Sequence, residues 1–300
     1  MRKHMIHTMT AIATLAIASL VGCGCGCGGG GGSGGSGGTS TKTGYFIDSA
    51  VEGLEYTSGS TTGITGADGS FKYEEGKPVT FKIGSMVLGS VTVNHNRVFP
   101  VDLISGAADE TNPQVTLMAQ ILQTLDSDGV ASNGITITDT ARRAITHAID
   151  VAAANPSDTT SVINRLLLTA TADRASPANS LVPEADAKTH LQANLVKEFA
   201  GNWSSTFTGT DSGNCQVSID QSGRISGNCN SPLANNFTIS GQVKSSGAWE
   251  NASGTSPSGS AGGTASTGAV FSGSYSRAGT ASGTWVNGAN YSGNWTMTKQ

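Results

Sequence analysis

The sequence predicts an α+β, multidomain chain. It expects a β module over residues 44–104, a small helical region over 105–200, and an antiparallel β meander or barrel over 201–300. Three observations carry this. Apolar and polar residues alternate in short runs between Tyr45 and Val91. Apolar residues step at helical spacing between Val115 and Phe199. In the last stretch a Ser-Gly-x-aromatic string recurs, and its later copies lie about ten residues apart, the rhythm of short strands joined by tight turns.

Two segments precede these modules. Residues 1–22 carry Arg2 and Lys3 and then an apolar run from Met9 to Val21, the charged and apolar regions of an export signal. The run is too short to cross a bilayer, which takes about 20 apolar residues. It ends in Leu20-Val21-Gly22-Cys23, which resembles the lipobox of bacterial lipoproteins. The resemblance implies cleavage before Cys23, a diacylglycerol on its thiol and acylation of the new amine. Two or three chains would then anchor the protein, because each buried methylene contributes about 0.8 kcal/mol and a single chain holds only marginally. Gly24, rather than Asp, follows the cysteine, which resembles the outer-membrane sorting pattern of Gram-negative lipoproteins. The plainer alternative is an ordinary secretory signal with a cysteine beside the cut. Residues 23–43 are mostly Gly, Ser and Thr and read as a flexible tether, with a reach of roughly 25 Å for twenty such residues. Gly31-Gly32-Ser33-Gly34-Gly35 matches a nucleophile elbow only formally, because neither a strand nor a helix flanks it.

In residues 44–104, Asp68-Gly69 reads as a tight hairpin turn, and Phe71 and Tyr73, then Val79, Phe81 and Ile83, alternate onto one face. The string from Thr65 to Phe71 resembles the T-x-x-D-G-x-F turn of carboxypeptidase-regulatory-like, transthyretin-like β-sandwich modules. The wider order, from Asp48-Ser49-Ala50-Val51-Glu52-Gly53 to Leu88-Gly89-Ser90-Val91, resembles an N-terminal module of many uncharacterised bacterial lipoproteins. The resemblance implies a β-sandwich-like scaffold or interaction module and transfers no catalytic residue.

In residues 105–200 there are four amphipathic stripes. Val115, Met118, Leu122 and Leu125 come after Asn112-Pro113, with Pro113 suited to a first turn. Ala141 to Ala152 marks a second helix that Asn155-Pro156 stops. Ser157 is the expected cap of a third helix with Val162, Ile163, Leu166 and Leu167. Ala187, Leu191, Leu195 and Phe199 mark a fourth. Between the first two lies Leu125-Asp126-Ser127-Asp128-Gly129 with Asn133-Gly134 beyond. Asp126, Asp128 and Asn133 could offer oxygens to a structural calcium ion, but the glycine and glutamate positions of an EF-hand are not met. The favoured alternative is a helix-capping loop with no metal.

In residues 201–300 the repeat occurs at Ser246-Gly247-Ala248-Trp249, Ser272-Gly273-Ser274-Tyr275, Ser282-Gly283-Thr284-Trp285 and Ser292-Gly293-Asn294-Trp295. Trp203, Phe207, Val217, Ile219, Phe237, Ile239, Phe271, Tyr275, Trp285, Trp295 and Met297 are the expected interior. The alternative use of these aromatics is a site for a glycan or a small apolar ligand. Cys215 and Cys229 each follow Ser-Gly-Asn on facing strands of one predicted hairpin. An exported chain meets oxidising conditions, so a disulfide between them is favoured over two free thiols. Cys25 and Cys27 have no neighbouring His or Asp for a metal. Residues 254–267 read as a low-complexity loop.

A formal net charge of −4 gives no basic face for nucleic acid. No H-E-x-x-H or S-x-x-K motif is present, and His95, His147 and His190 stand apart in sequence and read as surface polar residues. No cofactor and no enzyme activity is therefore expected. The sequence points to a lipid-anchored envelope protein with a structural or binding role. It would meet the membrane through Cys23 and take an envelope protein or a glycan as partner. The alternative is a carrier of a small apolar ligand or glycan in the C-terminal β-domain. A cavity of about 300 Å³ or more in that domain favours the carrier, and a filled interior favours interaction.

Overall fold

The computed structural model describes residues 40–250, 263–265, 268–288 and 290–300. The export signal, Cys23, Cys25, Cys27 and most of the expected tether lie outside the described residues. The first half runs β1 (Thr41–Phe46), β2 (Val51–Glu52), β3 (Glu55–Ser58), β4 (Thr61–Ile64), β5 (Ser70–Glu74), β6 (Pro78–Ile83), β7 (Met86–Thr92) and β8 (Arg97–Val98). Then come α1 (Pro113–Leu125), β9 (Ile135–Thr136), α2 (Asp139–Ala144), β10 (Ile149–Asp150), α3 (Pro156–Ala170) and α4 (Glu184–Lys197). Among the described residues of the second half the regular elements are all strands: β11 (Gly201–Gly209), β12 (Gly213–Ile219), β13 (Arg224–Ser231), β14 (Asn235–Val243), β15 (Trp249–Glu250), β16 (Gly263–Ala265), β17 (Val270–Tyr275), β18 (Thr280–Asn287) and β19 (Tyr291–Lys299).

The first-half strands form sheets ordered β5-β1-β8 and β10-β7-β6-β3-β4, with a separate β2-β9 pair. They share one apolar core with the helices, from Phe46 through Leu122 to Leu195. Strand β1 begins at Thr41, inside the expected tether, because Thr41, Lys42 and Thr43 pair with Glu74, Tyr73 and Lys72. Asp68-Gly69 does form a turn, with the Asp68 carboxylate accepting from the Ser70 amide at 3.0 Å and Gly69 at φ 78°. It is not a hairpin: β4 pairs with β3, while β5 crosses to pair with β1.

The helices show three departures from the sequence expectation. The second helix stops at Ala144 rather than Ala152, because the edge of β7 captures residues 145–150. Ser85 N donates to Ile145 O at 2.9 Å, and Ile149 pairs in parallel with Met86. Gly84 sits under that crossing: a Cβ there would lie 2.2 Å from Arg142 O. The third helix starts two residues early, with Asn155 rather than Ser157 as its cap. The Asn155 side chain accepts from Ser157 N at 2.9 Å, and Pro156, which has no N–H to satisfy, takes the first turn. Phe199 lies beyond α4 and belongs to the core of the second half.

The second half is a strongly curled antiparallel sheet. Strands pair in the order β13-β12-β11-β19-β18-β17-β16-β14-β15, and β13 also pairs with β14. Every residue expected inside is buried, from Trp203 to Met297. The recurring glycines have a steric reason. Gly283 stands opposite both Gly273 and Trp295 on the two neighbouring strands, and Gly293 stands opposite Trp285. A Cβ on Gly283 would lie 2.6 Å from Trp295 Cζ2, so the bare backbone leaves the indole its place. Trp295 Nε1 then donates to Ser272 O and Thr284 O, each at 3.1 Å.

Candidate functional site

The up-and-down strands give the curled sheet two unlike ends. One end holds the chain turns at 220–223, 244–248 and 276–279 and is filled. There Trp249 packs against Trp295 with centroids 5.0 Å apart, and Trp203 against Tyr275 at 5.0 Å. Trp203 Nε1 donates to Phe199 O at 2.9 Å, and the Tyr275 hydroxyl faces Met297 Sδ at 3.3 Å. This filled end also meets the first half of the chain. Arg277 pairs with Asp102 and lies 5.2 Å from the Phe99 ring centroid, and Lys299 Nζ donates to Glu198 O at 2.8 Å.

The other end holds the β11–β12, β13–β14 and β18–β19 turns, and among the described residues it is open. A cleft of about 330 Å³ lies there, lined by Phe207, Phe237, Phe271 and Trp285 within and by Asp211, Leu233 and Tyr291 at the rim. The Phe207 ring stands edge-on to Phe237 at 5.9 Å and to Trp285 at 6.0 Å. Trp285 is held by its own donor, with Nε1 bonded to Thr208 O at 3.1 Å. Leu233 is 62% exposed and Tyr291 50%, so the apolar lining continues out onto two turn tips. The aromatics of the expected interior therefore divide: those at one end fill the core, and Trp285 with Phe207, Phe237 and Phe271 walls a ligand-sized space. Trp249, absent from the expected interior, is fully buried.

Cys215 and Cys229 are directly opposite each other on β12 and β13 and form a disulfide, with Cα atoms 4.0 Å apart. It points inward and staples the hairpin beside the Phe237 strand.

Asp126, Asp128 and Asn133 do come together in the loop after α1. Asp126 accepts from Val130 N and from Thr136 N, each at 2.9 Å. Asp128 accepts from Val130 N at 2.8 Å and from Asn133 Nδ2 at 2.9 Å. All four carboxylate oxygens thus face amide donors, which an ion at this loop would have to displace. Burial raises the Asp126 pKa, whereas the Asn133 amide and the other donors hold Asp128 below the usual range.

A second polar cluster has no counterpart in the sequence expectation. His190, expected on the surface, is only 19% exposed on α4. Its Nε2 lies 3.1 Å from Ser49 Oγ, 3.1 Å from Asn194 Nδ2 and 3.6 Å from Asp48 Oδ1. Asp48 is fully buried in the turn after β1, and its Oδ2 accepts from Gln123 Nε2 of α1 at 3.0 Å. Burial pushes the Asp48 carboxyl up to about 7 and lowers the His190 pKa below 6.5. Ser49 holds a left-handed backbone, φ 57°. The composition is that of a Ser-His-Asp triad, but the geometry is not. In a triad the serine and the carboxylate address opposite ring nitrogens. Here both address Nε2. No local signal could reveal this cluster, since its members come from the β1–β2 turn, α1 and α4.

Comparison with protein-family models, with curated proteins and with solved structures finds no match to this chain.

Proposed function

We propose that this chain is an exported, lipid-anchored binding protein whose C-terminal curled sheet carries a small ligand with an apolar body. The observation that carries the carrier reading is the aromatic-lined cleft of about 330 Å³ at the open end. It reaches the size at which small-molecule sites begin, and its walls are apolar, as such sites are. Its rim residues Leu233 and Tyr291 stay exposed although they are large and apolar. The anchor rests on Leu20-Val21-Gly22-Cys23 and the glycine-rich stretch after it. In this reading the N-terminal strands and helices form a β-sandwich-like scaffold, attached at the filled end through Arg277 and Asp102, so the cleft mouth faces away from it. The protein captures its ligand by burial and performs no chemistry on it.

Two experiments test this. N-phenyl-1-naphthylamine, an apolar dye that brightens out of water, is expected to bind the purified protein, and Ala234→Phe, next to Leu233 in the cleft lining, is expected to block it. Equal binding to both proteins would place the dye elsewhere and refute the cleft. Labelled palmitate is expected to enter the wild-type chain and not Cys23→Ala, which should move to the soluble fraction. Unlabelled wild-type protein would refute the anchor.

A further inference from the structure

The charges of the curled sheet are distributed unevenly between its two ends. Its cations are Arg224, Lys244, Arg277 and Lys299. Arg224 opens β13 and Lys299 closes β19, while Lys244 and Arg277 lie in turns, and all four positions belong to the filled end. Asp220 lies there too, in the β12–β13 turn, and Glu250 pairs with Gln242 near it. Among the described residues that line the cleft at the open end, one carries a charge, Asp211, whose Oδ1 accepts from Ser212 N at 2.8 Å. The stretches 251–262 and 266–267 and Ala289 contain no ionisable side chain, so they bring no cation to the cleft.

We propose that the cleft takes an organic cation, an alkylammonium group on a small apolar body, held among the aromatic rings and balanced by Asp211. This rests on the reading of the cleft as a ligand site and names its class of ligand. Five rings line the space: Phe207, Phe237, Phe271, Trp285 and Tyr291. Aromatic faces attract ammonium groups, indole most strongly, and quaternary ammonium gives up little hydration on entering such a cage. An anion would meet the opposite conditions. A fatty acid or a phosphate ester brings a charge that needs Lys, Arg or clustered N–H donors, and the cleft lining offers none of the two side chains. Its charge would also lie beside the Asp211 carboxylate.

Calorimetric titration of the purified protein with three probes of similar size tests this. They are phenyltrimethylammonium, its uncharged isostere tert-butylbenzene, and phenylacetate. The cation is expected to bind about tenfold more tightly than the isostere, and phenylacetate most weakly. Asp211→Asn and Tyr291→Leu are each expected to weaken the cation about three- to tenfold while leaving tert-butylbenzene within about twofold. Both positions are at the rim, and unchanged thermal midpoints would certify that the variants fold. If tert-butylbenzene binds as well as the cation, the choice of ligand class is overturned and the cleft stands. If no probe binds, both fall.

Discussion

Replacing Asp48 by Asn should make the protein more stable above neutral pH. Asp48 is fully buried, and its carboxyl is pushed from 3.8 up to about 7 by loss of hydration. A carboxyl whose folded pKa is raised contributes stability below the unfolded value and loses it as pH rises through the folded one. The gap between 3.8 and about 7 corresponds to about 4 kcal/mol at about 1.4 kcal/mol per pH unit. That penalty develops between roughly pH 4 and pH 7 and is complete by about pH 8. His190 acts in the opposite sense: its pKa is lowered by burial, so it disfavours the folded chain below about 6.5. Comparing wild type with Asp48→Asn at each pH isolates the carboxyl. Asn keeps an oxygen for Gln123 Nε2 and cannot ionise. Urea midpoints at pH 5, 6, 7 and 8 are expected to diverge, with the variant ahead by up to about 4 kcal/mol at pH 8. A difference that stays constant with pH, or a variant less stable at pH 8, would mean that a partner such as protonated His190 compensates the buried charge.

The curled sheet has its own consequences. Cys215 and Cys229 close a loop with a sequence separation of 14, so reduction or the double change to Ala should lower stability by about 3 kcal/mol. Thermal unfolding with and without reductant measures this, and coincident curves would deny the staple any role. Gly283→Ala places a Cβ 2.0 Å from Ser272 O and against Trp295, and should destabilise by about 2–4 kcal/mol. Gly288→Ala meets no atom within 4 Å and strains only a turn at φ 65°, so about 1 kcal/mol is expected. Equal losses at the two positions would show that the repeat glycines do not serve to seat the indoles.

Much of the second half was legible in the residues. All the residues expected inside are buried, because a strand with one buried face writes that face into every second position, but Ile225, Val243, Trp249, Ala269 and Ala281 are buried too and lie outside the expected set. The hairpin around Gly223 placed the two cysteines opposite each other for the same reason. Trp249 escaped because its strand is two residues long and shows no period. In the helical region, Ala141 to Ala152 carries a stripe that a helix tolerates, yet Ile149 serves the sheet edge instead. Tertiary pairing with Met86 overrode a weak local preference. The cleft was only half legible. Trp285 and Phe207 have the alternation of core residues, and nothing in that pattern tells a packed end from an open one. Asp48, Gln123 and His190 are brought together by three separate elements, so their cluster could only be found in space.

The most direct test of ligand capture at the open end is two-dimensional NMR of the indole N–H groups during titration with phenyltrimethylammonium. The Trp285 signal, beside the cleft, should shift and saturate, while Trp203 and Trp249, packed at the filled end, should stay in place. A stationary Trp285 signal at saturating probe, or shifts centred on Trp203 and Trp249, would contradict it.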